Sequence, residues 1–201
     1  MPRTLLQIAG APLHPSPLDR SALVLIDHQL EYVRGVVPLS GIREAILEIE
    51  RLIALARRHG VPIFHVVHHG RPGAPAFDPV GPNVAIIPEL APVDGEHVVV
   101  KSLPNAFAKT NLHELIQEAS RSELIIAGFA THMCVSSTTR AALDLGYRST
   151  IVAGATATRD LPNPIGPGVI AAQSVHEATL AALADRFAVI VKDAAALAPR
   201  A

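Results

Sequence analysis

Short, unbroken runs of aliphatic and β-branched residues recur along this chain, and several stop at a polar residue just before a helical pattern begins. Residues 22–26 (ALVLI) end at Asp27, residues 61–67 carry a second run, and residues 97–100 end at Lys101. Further runs lie at 124–127, 150–153 and 187–191. Runs this short and this apolar are those of strands buried on both faces, the situation in a parallel sheet covered by helices. Between them, apolar residues at spacings of three and four, interleaved with Glu and Arg, predict a helix over residues 42–58 that His59-Gly60 closes. Shorter helices are expected from Thr110, a candidate N-cap, and over residues 132–145 and 170–185. Alternation of this kind restricts the chain to an α/β architecture with a parallel sheet and helices on both faces.

At 201 residues the chain has the size of one domain, and residues 1–201 are read as one. Four prolines in residues 1–20 predict an extended N-terminal arm lying on the body or on a neighbouring subunit. Residues 70–96 hold six of the seventeen prolines and form a loop too long for an ordinary connection, read as an ordered lid or an interface loop; a second punctuated loop spans residues 160–168. A net charge of −1, seven Phe and Tyr residues and no Trp leave neither a basic field nor stacking platforms, which argues against nucleic-acid binding. The single cysteine excludes an intrachain disulfide framework, no apolar run is long enough for a membrane span, and the opening residues show no signal-peptide pattern. A cytoplasmic protein is expected. Only 17% of residues are charged, against roughly 25% in typical domains, which predicts a homo-oligomer, a dimer or tetramer. A monomeric mass in solution would contradict that.

In open α/β sheets, ligands collect beyond the carboxyl ends of the strands. Asp27 and Lys101 end two of the predicted strands, and Cys134 follows a third in the segment Gly128-Phe129-Ala130-Thr131-His132-Met133-Cys134-Val135. Gly128 lets the chain turn sharply, Thr131 is a candidate helix cap, and Cys134 then falls in the first helical turn, where free N–H groups favour a thiolate and a depressed thiol pKa. The same N–H groups suit a developing oxyanion, with Asp27 taking the thiol proton and Lys101 keeping that carboxylate ionised. Each residue alone has an ordinary reading: a core cysteine, a turn-forming aspartate, a solvated lysine. Their coincidence at one rim carries the argument.

These segments resemble the isochorismatase-like cysteine hydrolases, a superfamily that includes nicotinamidases and N-carbamoylsarcosine amidohydrolase. The resemblance runs over residues 20–192 and rests on Leu25-Ile26-Asp27-His28-Gln29 with Tyr32, on Lys101 with Phe107 and Thr110-Asn111-Leu112, and above all on Gly128 to Val135. It implies a Rossmann-like three-layer α/β/α fold with a mainly parallel six-stranded sheet, and a triad of Asp27, Lys101 and Cys134. It further implies a cis peptide between Phe129 and Ala130, an oxyanion hole from the N–H groups of Ala130 and Cys134, and hydrolysis of a small-molecule amide or related C–N bond through a thioester. Gln29, Tyr32, His68, His69, Phe107, Thr131 and His132 are candidate pocket residues, with packing the favoured role for Phe107. The metal-binding Asp-x-His of nicotinamidases is missing; the chain reads Phe64-His65-Val66-Val67-His68-His69-Gly70. No cofactor is expected, and a metal held by His68 and His69 is disfavoured because His65 and His68 lie on opposite faces of a strand. Isochorismatases proper cleave a vinyl ether without a cysteine nucleophile, so the presence of Cys134 favours amide chemistry. An ether or ring hydrolase using Asp27 alone, and a non-catalytic binding module of the same fold, are the competing readings.

Overall fold

The computed structural model describes residues 2–198. In chain order the elements are α1 (Leu5–Ile8), β1 (Ser21–Ile26), α2 (Glu31–Arg34), α3 (Ile42–Arg58), β2 (Ile63–His68), β3 (His97–Lys101), α4 (Leu112–Glu118) and β4 (Glu123–Phe129). They continue through α5 (Ser136–Asp144), β5 (Arg148–Ala157), β6 (Leu161–Pro162), β7 (Val169–Ile170), α6 (Ala172–Arg186) and β8 (Val189–Val191). Six strands form one sheet in the order β3-β2-β1-β4-β5-β8, and every neighbouring pair in it is parallel.

Two apolar layers explain why the strands read as continuous runs rather than alternating ones. Leu23 and Leu25 of β1 face a core built with α3, through Ile49, Leu52 and Ile53. Ala22, Val24 and Ile26 face the opposite core with α4 and α5, through Leu112, Ile116 and Ala142. Both faces of β1 are therefore covered, as a central strand of a three-layer α/β/α fold requires. Strand order reverses between β1 and β4, and ligand crevices in open sheets form at such a reversal. Gly128 is needed there: its φ is +106°, and a Cβ would stand 2.0 Å from the Ile26 carbonyl oxygen.

The N-terminal segment is not extended throughout. Thr4 and Gln7 form a reciprocal capping box that nucleates α1, and Leu5 N–H bonds the Asp185 carboxylate of α6, so the arm lies on the body. The loop over residues 160–168 is pinched by the small antiparallel pair β6-β7. Among the described residues no helix is long and apolar enough to cross a membrane.

A polar chain running from buried His28 and His65 outward ties the proline-rich loop to the body. His28 Nε2 lies 2.9 Å from His65 Nδ1, and His65 Nε2 lies 2.9 Å from Glu96 Oε2. Arg57 grips both Glu96 oxygens at 2.8 and 3.0 Å. Burial raises the Glu96 carboxyl, but the Arg57, Val93 and His65 hydrogen bonds outweigh it and hold the group down at about 2. Burial, reinforced by His65, pushes His28 down to about 3.

The unfolded chain therefore takes up a proton on His28 as pH falls through roughly 6.5, whereas the folded chain does not until about 3. The stability that neutral His28 contributes is complete above pH 6.5 and is lost as pH falls toward 3. At pH 5 this amounts to about 2 kcal/mol from His28 alone. Urea denaturation at pH 7 and pH 5 should show at least that loss, and His28→Gln should flatten it. Equal losses in both proteins would contradict this account.

Candidate active site

The reversal point brings together the three strand-end residues that the sequence singles out. Asp27 follows β1 in a left-handed conformation, φ +49°, held by its N–H to Val66 O at 2.8 Å. Lys101 ends β3, two strand spacings away or roughly 10 Å, so only a long side chain reaches across the end of β2. Its Nζ meets Asp27 Oδ2 at 2.8 Å, His68 Nδ1 at 3.2 Å and Cys134 Sγ at 3.3 Å. An ammonium has three protons to donate, and three acceptors take them. All three members are buried, Asp27 and Lys101 at 0 and 1% exposure and Cys134 at 5%. Removing such a pair from water is costly unless its remaining polar atoms are satisfied. Asp27 Oδ1 is the exception, a buried oxygen with no hydrogen-bond partner and hence a lone pair ready to receive a proton.

Electrostatics correct one expectation. Burial pushes the Cys134 thiol up, the Asp27 charge pushes it further, and Lys101 only partly opposes them. The resting residue is a thiol, not the pre-formed thiolate that a helix start suggested. The helical turn at Cys134 is itself different: Thr131–Val135 form a π-type turn, closed by Val135 N–H to Ala130 O at 3.3 Å, before α5 begins. Burial also raises the Asp27 carboxyl, against the pull of Lys101, which makes it a stronger base. Burial, followed by Lys101 and His69, lowers His68 to about 4, so the imidazole is neutral and accepts from Lys101 through Nδ1. The Phe129–Ala130 peptide is cis.

The candidate pocket residues separate into two groups. Tyr32 is buried against the site, edge-on to Phe129 at 5.8 Å between ring centres. Burial raises its phenol, and the Asp27 charge adds to this. His68 stands beside Lys101 as described, and His132 reaches Thr158 at the end of β5. Others are committed elsewhere. Gln29 clamps the His68 peptide from both sides, accepting from its N–H at 2.8 Å and donating to its carbonyl at 3.0 Å, with a second donation to Val84 O. It shapes the strand end rather than offering a pocket donor. Thr131 does not cap a helix; its hydroxyl donates to Ala157 O and meets His176 Nδ1. Phe107 stacks on Tyr147 at 5.9 Å and packs into the core on the α4 and α5 side. His69 is fixed by its backbone N–H to Lys101 O.

For a metal, the histidines are poorly disposed. His65 is spent on His28 and Glu96, and His68 on Lys101. Among the described residues no group of three or more His, Cys, Asp or Glu side chains is placed to hold an ion.

One residue at the site escapes sequence reasoning altogether. Phe77, from the middle of the proline-rich loop, lies edge-on to Tyr32 at 5.2 Å and to His68 at 5.0 Å. Nothing in its neighbours, Ala76 and Asp78, marks it out.

Residues 21–195 match the family model described as Isochorismatase domain. A solved isochorismatase from Pseudomonas putida KT2440 is 44% identical, superposes with a TM-score of 0.92, and is covered to 100% by 98% of this chain. The secreted isochorismatase effector Isc1 of Verticillium dahliae is 37% identical over 182 residues, 90% of this chain and 93% of that protein. A streptothricin hydrolase of Streptomyces noursei is 32% identical over 167 residues, 83% of this chain and 57% of that protein.

Proposed function

The chain belongs to the isochorismatase family of hydrolases, and on that footing we propose that it is a cysteine hydrolase cleaving a small-molecule amide or related C–N bond through a thioester on Cys134. The observation that carries this reading is the shared lysine: Lys101 Nζ bonds Asp27 Oδ2 and Cys134 Sγ together, while Asp27 Oδ1 is left without a partner.

The steps follow from the proton positions. As Cys134 Sγ attacks the substrate carbonyl carbon, its proton passes to Asp27 Oδ1, so thiolate forms only as the C–S bond forms. The carbonyl oxygen gains the negative charge, and the N–H groups of Ala130 and Cys134 receive it. Asp27 then hands the proton to the leaving nitrogen, the C–N bond breaks, and ammonia or an amine departs. Water attacks the thioester, giving its proton to Asp27; the C–S bond breaks and Cys134 is reprotonated. Lys101 keeps its three protons throughout. It holds Asp27 in place and moderates the negative charge that passes between oxygen and sulfur.

A raised Asp27 and a raised Cys134 suit this coupling, because a strong buried base paired with a reluctant acid transfers its proton only when substrate fills the site. Rapid acid quenching during turnover of an amide substrate, followed by intact-protein mass spectrometry, should reveal an acyl adduct confined to the peptide bearing Cys134. The names of two relatives favour a second reading, ether cleavage with Asp27 as the acid or base. In that case hydrolysis proceeds and no adduct is trapped.

A further inference from the structure

We propose that Phe77 is the size filter of the Cys134 site, a lid side chain that admits small acyl groups such as primary amides and ureides and holds bulky ones away from the thiol. The proposal rests on the reading of Cys134 as the reactive group, and it adds the residue that limits what reaches it.

Backbone geometry is the first observation. Among the described residues four non-glycine positions have positive φ: Asp27, Phe77, Lys109 and Ser120. Phe77, at +55°, is the only aromatic among them. Bulky side chains avoid the left-handed region, and one held there requires surrounding contacts that outweigh the cost. Those contacts are specific. Phe77 N–H points at Oε2 of buried Glu31 at 3.4 Å, and Phe77 O accepts from Gly70 N–H at 2.8 Å. Glu31 is itself anchored through Oε1 to Val36 N–H at 2.7 Å. One carboxylate bond from α2 and one backbone bond thus turn a loop residue inward.

Where the ring lands is the second observation. It lies edge-on to His68, whose Nδ1 bonds Lys101, whose Nζ bonds Cys134. On its other side it meets Tyr32, which in turn meets Phe129 just before the Cys134 turn. Phe77 and His68 are half-buried, whereas Tyr32, Asp27, Lys101 and Cys134 are buried, so Phe77 belongs to the outer layer of this cluster of side chains.

The third observation is how little of Cys134 is open. At 5% exposure the approach is narrow, so a bulky acyl group reaches Sγ only if a surrounding side chain yields. His68 is tied to Lys101, and Tyr32 is wedged between two rings. Phe77 makes only edge contacts through its ring, so a rotation about its side-chain torsions gives up less than moving His68 or Tyr32 would. It is the member of the layer that moves most readily, and its bulk sets what passes.

Cys134 is the single cysteine of the chain, so alkylation reports access to it alone. Rates are compared for iodoacetamide and for a fluorescein maleimide at one fixed pH. In Phe77→Ala the maleimide rate should rise about tenfold or more while the iodoacetamide rate changes by less than about threefold. Phe77→Gly, which accepts a φ of +55° without strain, should do the same, and Phe77→Leu should fall between. Unchanged maleimide rates in the variants that melt as the wild type does would overturn the proposal, and so would an equal rise for both reagents, which signals general loosening. Because the readout is alkylation rather than turnover, the filter can fail while the hydrolase reading stands, and the reverse.

Discussion

Replacing Cys134 with Ala is expected to lower turnover by roughly 10⁴-fold or more while the protein stays folded. The size of the loss follows from the site having one nucleophile. Asp27 and Lys101 survive the change with their 2.8 Å contact intact, yet neither carbon nor water at position 134 can form the thioester. The fold should tolerate it because alanine fills most of the same space and the Asp27–Lys101 pair survives, although one Lys101 N–H loses its acceptor. A buried truncation of this size costs about 1 kcal/mol, which moves the melting point by about 2–4 °C in a chain of this length. The measurement is steady-state hydrolysis beside a thermal melt. Turnover within a few-fold of wild type would sink the thioester mechanism and leave the ether-type reading, in which Asp27 works without sulfur. A large fall in melting point together with lost activity would say that Cys134 is a core residue first.

The sheet and the meeting of Asp27, Lys101 and Cys134 were legible because both depend on pattern along the chain. Helix α3 runs from Ile42 to Arg58, the limits that its three-and-four spacing predicts, since one side of it is read directly from composition. Asp27, Lys101 and Cys134 could be placed at one rim because parallel strands point their carboxyl ends the same way. What could not be read depends on distant residues meeting. Phe77 owes its place to Glu31 and Gly70, and the His28-His65-Glu96-Arg57 chain joins four separate segments. The thiol pKa went the wrong way for a related reason: the sequence shows the nearby turn, whereas burial and the Asp27 charge belong to the assembled site. Gln29 and Thr131 carry polar groups suited to substrate, and the fold spends them on His68 and Ala157.

The ion pair gives the second large effect. In Lys101→Met the Asp27 carboxylate would remain fully buried without its partner, and breaking a buried pair in this way costs about 3–5 kcal/mol. Activity should vanish as well, since nothing then holds Asp27 against Cys134. The pH dependence separates this from ordinary destabilisation. Without the ammonium, burial alone acts on Asp27 and lifts its folded pKa further above the unfolded value. The folded state then binds a proton more tightly than the unfolded state, so the part of the loss due to Asp27 should shrink as pH falls toward the unfolded carboxyl range. The buried histidines lose stability over pH 7 to 5 in both proteins, so the diagnostic quantity is the difference between variant and wild type at each pH. Adding Asp27→Asn to Lys101→Met removes the stranded charge, so the double variant should recover most of the lost stability and stay inactive. If the single variant is as stable as wild type at pH 7, or if the double variant is no better than the single one, Lys101 and Asp27 do not form the buried ionised pair on which the mechanism depends.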